Sequence, residues 1–145
     1  MAKAITLLES TRVDHRAEGD ELLSGGLVTI ASGDAARIAA WHDEPETGES
    51  WRYSGLPPLQ VVRGLAAEKL GRPAEALAHH NEAFDVYRPS LWLWPIAALE
   101  RARLLVEIGT PEAGNAVDEL LEVTTRHGLR RWQEKALALK KTLKA

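Results

Sequence analysis

Apolar positions between Leu56 and Tyr87 recur every three or four residues in two runs, separated by one glycine turn. In the first run, Leu59, Val62, Leu65, Ala66 and Leu70 share a side while Glu68 and Lys69 fall opposite, which is the periodicity of a half-buried helix. Pro57 and Pro58 suit its first turn, where a backbone N–H is not needed, and Gly71 suits its end. Pro73 opens the second run, in which Ala76, Leu77, His80, Ala83, Phe84 and Tyr87 recur at helical spacing. A connection this short makes the two helices antiparallel neighbours. The pattern therefore predicts a helical hairpin over 57–87, with Gly64 meeting Ala76 where the helices approach most closely.

The hairpin repeats with a period of 38 residues. Gly33, Gly71 and Gly109 coincide, as do Gly26, Gly64 and Ala102, then Ala40, Ala78 and Ala116, and Leu23, Val61 and Leu99. Pro57 matches Pro95, and Pro73 matches Pro111. Asp20 and Asp34 suit N-caps in the first copy. The expected hairpins are thus about 20–44, 57–87 and 95–127, joined by the longer connections EPETGESWRYSG and RPSLWLW. Ala2 to Val13 reads as a leading helix. One more step of the period sets Trp132 opposite Trp94 and predicts half a hairpin over about 129–144, where Lys135, Lys140, Lys141 and Lys144 give a capping helix its polar outer face. The expected fold class is all-α, an α-solenoid of three hairpins between a leading and a capping helix, with eight helices and no strand. At 145 residues it is one domain's worth of chain, expected over 1–145 as a single unit.

The spacing of Gly64, Gly71, Ala76, His80 and Ala83 resembles the tetratricopeptide repeat. The resemblance implies a concave groove lined by the first helix of each hairpin, here by Leu23, Leu27 and Ile30, then Val61, Leu65 and Glu68, then Leu99, Arg103 and Val106. Such a groove is mostly apolar and fits an amphipathic helix or apolar peptide. Chaperone-binding members hold a peptide's terminal carboxylates with lysines and asparagines; Val61, Leu65 and Leu99 stand at the matching positions here, with Arg103 as the one cation, which argues against that activity. The 38-residue period and the passages LERARLLVEIG and HGLRRWQEKALAL are also similar to the longer hairpins of bacterial signalling regulators of the LuxR-like and antibiotic-regulatory-protein kinds. That similarity implies a second reading, a sensor or regulatory module that binds a small ligand or controls an effector.

Candidate chemistry changes this picture little. His42 with Asp43 and Glu44, and His79 with His80 and Glu82, are the two clusters that invite a metal or acid–base reading. His42 and His80 stand 38 residues apart, at the position where the resemblance puts a packing aromatic, and adjacent histidines point to different sides of a helix, so packing is favoured over ligation. No nucleophile elbow or phosphate-binding loop is present. The expectation is a non-enzyme with no catalytic residue, metal or cofactor; a small enzyme using His79 or His80 would need those rings to converge with a carboxylate.

The chain has no cysteine, so packing alone must hold the fold, and a reducing cytoplasm fits. Its first residues lack the apolar core of a leader, and no run is long enough to span a membrane, so the expected location is cytoplasmic. A net charge of −3 offers no global footprint for nucleic acid. The charge is uneven: residues 1–50 carry four Lys and Arg against ten Asp and Glu, while 129–145 carry six against Glu134 alone. Solvated faces at the two ends account for that asymmetry. Of five tryptophans, Trp94 and Trp132 share a packing position, whereas Trp51 and Trp92 lie in the connections and are candidate aromatic anchors for a protein or peptide partner, a second copy included.

Overall fold

A computed structural model describes the backbone of residues 19–42 and 59–143 and the side chains of 26–42 and 59–143. The leading helix expected over 2–13, the side chain of Leu23 and the connection carrying Trp51 lie outside the described residues. The regular structure among the described residues is all α-helix, with α1 at Gly19–Ser32, α2 at Ala35–His42, α3 at Leu59–Lys69, α4 at Pro73–Val86, α5 at Trp94–Ile108, α6 at Ala113–Arg126 and α7 at Arg130–Leu143. Seven helices and no strand are found among them.

Glycine punctuates the helices as the period anticipates. Gly33, Gly71 and Gly109 adopt left-handed backbone, with φ of 72°, 71° and 77°. At Gly109 the chain makes both bonds of a helix-closing turn: the Gly109 N–H donates to the Val106 carbonyl at 3.1 Å and the Thr110 N–H to the Leu105 carbonyl at 3.2 Å. Carbonyls that would otherwise face nothing are thereby satisfied. After Gly33, the Asp34 carboxylate accepts from the N–H groups of Ala36 and Arg37 at 3.0 and 3.2 Å, so one residue separates the end of α1 from the cap of α2.

No atom crowds the space a Cβ would fill at Gly109, so a side chain there pays only the conformational penalty. Gly109→Ala should cost about 1 to 2 kcal/mol, and Gly109→Asn distinctly less, because asparagine tolerates this backbone. Urea unfolding of the two variants checks the order.

The chain divides into two compact units, one through Ala76 and one from Leu77, with the boundary inside α4. In the first unit α1, α2 and α3 pack mutually. Ile38, Trp41, Leu59, Val62 and Ala66 form its core, with Leu27, Ile30 and Leu70 against them. Gly26 is buried, and a Cβ built on it would lie far inside contact distance of the Trp41 ring carbons. The missing side chain is thus what admits the indole.

In the second unit α5 packs on α6 and α7, and α6 on α7. One cluster joins Ala102, Leu105, Ala113, Ala116 and Val117; another joins Trp94, Ala98, Leu120 and Ala136, with Phe84 and Tyr87 packed against it. Ala97, Ala98 and Ala102 are all buried on α5, and small side chains on that face let neighbouring helices come close. Thr124, fully buried on α6, donates its hydroxyl to the Leu120 carbonyl at 2.8 Å, which satisfies it without a partner from another helix.

Candidate interaction surface

The first-helix positions are divided between core and solvent. In the first unit Leu27 and Ile30 are half-buried against the Ile38 cluster, Val61 is fully buried, and Leu65 and Glu68 are half-buried. Val61 is thus a core residue in this chain, reachable by a partner only if its cover moves. In the second unit Leu99 and Val106 are half-buried, each leaning on one of that unit's clusters. Half-buried leucine and valine keep apolar surface toward solvent, which is what a docking strip requires.

Arg103 does not stand alone. Its guanidinium pairs with Glu100 at 2.9 Å and with Glu107 at 3.2 Å, residues three before and four after it on α5. Two carboxylates engage the one guanidinium, so an acidic group of a partner would have to compete for it. The spacing was legible in the sequence, since residues three and four apart on a helix are neighbours.

Burial differs among the histidines, with His79 half-buried and His127 exposed. His80 is wholly buried and His42 nearly so. His42 Nε2 lies 2.6 Å from Glu75 Oε1, a hydrogen bond that joins the end of α2 to the first turn of α4. Arg72 Nη1 approaches the other oxygen of that carboxylate at 3.6 Å.

Exposed apolar side chains concentrate before α5. Trp92 is 86% exposed, with Val86 at 62% and Leu91 at 44%. The turn that carries Leu91 and Trp92 is closed by Ser90, whose hydroxyl accepts from the N–H groups of Trp92 at 3.3 Å and Leu93 at 3.1 Å. The Ser90 N–H donates to the Tyr87 carbonyl at 2.8 Å, and its own carbonyl accepts from the Trp94 N–H at 3.0 Å. Four bonds at one residue fix the backbone of this turn, so Trp92 is presented from an ordered support. Trp94, two residues on, points the other way: it is 3% exposed, its ring centroid 5.5 Å from that of Phe84. Arg88 lies over both rings and pairs with Glu119 of α6.

Neither Arg63 nor Ser90 figures in the sequence reading. Arg63 is buried on α3, where its Nη1 donates to the His42 carbonyl at 2.6 Å and its guanidinium sits 5.7 Å from the Trp41 ring centroid. No helix among the described residues is long and apolar enough to cross a membrane. Compared with known proteins, the chain matches no family model, no curated protein and no solved structure.

Proposed function

We propose that the chain is a non-catalytic interaction module, a helical-repeat scaffold of the tetratricopeptide kind that holds an apolar peptide or helix of a partner protein in its groove. The observation that carries this reading is Trp92, 86% exposed on a turn fixed by Ser90 and accompanied by Leu91. A tryptophan held in water by an ordered backbone gives up little conformational freedom when a partner covers it, which is the property of a binding anchor. The half-buried Leu27, Ile30 and Leu65 in one unit, and Leu99 and Val106 in the other, supply further apolar surface.

Selection of a displayed random-peptide library against the full chain tests the proposal. Peptides with two or more apolar anchors should be enriched. Trp92→Ala should weaken their binding by about 30-fold, the equivalent of a 2 kcal/mol anchor, while leaving thermal unfolding unchanged because the side chain is exposed. Leu65→Asp should weaken binding more than a rise in salt does, since apolar contacts are not screened. Enriched peptides indifferent to both substitutions, or no enrichment at all, would defeat the reading.

A further inference from the structure

Basic side chains among the described residues fall into two groups. Arg37, Arg72, Arg88, Arg103, Arg126 and Lys140 each pair with a carboxylate. Arg63 donates to the His42 carbonyl and Arg101 to Asn81. Apart from Lys69, the cations with no acceptor all lie on α7: Arg130, Arg131, Lys135 and Lys141. All four are exposed, and Glu134 is the one carboxylate of the helix. Arg131 and Lys135 rest over the Trp132 ring at 5.5 and 5.6 Å from its centroid, which holds their stems while their charged heads reach water. Leu137, 43% exposed, interrupts the charges with a patch of apolar surface.

We propose that this outward face of α7 binds the acidic segment 43–49 of a second copy of the chain. That segment, DEPETGE, holds Asp43, Glu44, Glu46 and Glu49 and no cation, so its four carboxylates match the four unpaired cations. The lengths are compatible. From Arg130 to Lys141 the helix rises about 16 Å, and seven residues of extended chain reach up to about 23 Å. A net charge of only −3 imposes little general repulsion between copies. The contact joins two different surfaces, so a pair held by one such contact keeps one face and one segment unused. Its strength comes from exposed charges and is screened by salt.

Sedimentation velocity with charge-swapped chains tests this. The wild type should gain mass with concentration at low salt and return to monomer at high salt. Lys135→Glu with Lys141→Glu in one chain, and Glu44→Lys with Glu46→Lys in another, should each remain monomeric at low salt. Mixed together, the two variants should associate, because the unaltered acidic segment of the first meets the unaltered α7 of the second. Circular dichroism confirms that both variants fold, and Lys135→Gln with Lys141→Gln replaces the reversal if the first does not. A wild type that is monomeric at low salt overturns the proposal, and so does one that anionic vesicles retain through α7 without self-association. Association that survives reversal of α7, or a mixture that stays monomeric, overturns it as well.

Discussion

Gly26→Val is expected to destabilise the protein by about 3 kcal/mol, the upper part of the usual range for overpacking a core. A Cβ at this position collides with the Trp41 indole, which is 2% exposed and wedged among Ile38, Leu59, Val62 and Ala66. With the ring buried in that cluster, α1 and α2 must separate or Trp41 must leave its rotamer. Helix propensity acts against this result, since replacing a mid-helix glycine ordinarily gains up to about 1 kcal/mol, but β-branched valine recovers only part of it. Gly114 on α6 is the control, because nothing lies within 4 Å of its Cβ position. Gly114→Ala should therefore stabilise by roughly 0.4 to 1 kcal/mol. Opposite signs for two helical glycines, read in the same urea titration, check the packing argument; equal signs would defeat it.

Arg63→Met should cost about 2 to 3 kcal/mol, the scale of a buried hydrogen bond to a charged group. Methionine keeps most of the side-chain volume beside Trp41 but removes the donor to the His42 carbonyl. That carbonyl belongs to the last residue of α2, where the helix dipole is negative and a cation is well placed. Arg63→Lys should fall between wild type and methionine, because the charge is kept while the planar fork that stacks on the indole is lost. A fully stable methionine variant would show that the burial of Arg63 is incidental.

The sequence by itself determined the helical class and where the helices end. Gly33, Gly71 and Gly109 recur every 38 residues, and all three take the left-handed backbone that closes a helix. Such turns are built from residues next to one another in the chain, so local spacing suffices to predict them. The same holds for the Asp34 cap and for the Glu100 and Glu107 pairs of Arg103, whose partners lie within one turn.

What covers what was decided only by the tertiary structure. The period maps Ala76 onto Ile38, so the inferred meeting of Gly64 with Ala76 would set Gly26 against Ile38; the structure puts Trp41 there instead, one turn further along α2. An indole is long enough to reach back across that turn, and spacing alone does not show how far a side chain leans. Arg63 reads as a surface charge until the carbonyl end of α2, twenty-one residues away, is placed over it. Trp92 and Trp94 are two residues apart, yet one is exposed and the other sealed in the core, because Trp92 stands on the turn that Ser90 closes whereas Trp94 opens α5 and packs on Phe84. Candidate binding residues share this dependence: Val61 and Leu65 stand on one helix and one apolar pattern, but only the packed neighbours close the first off and leave the second half open. Helical period records which residues share a side of a helix, whereas burial depends on elements distant in sequence that pack against that side.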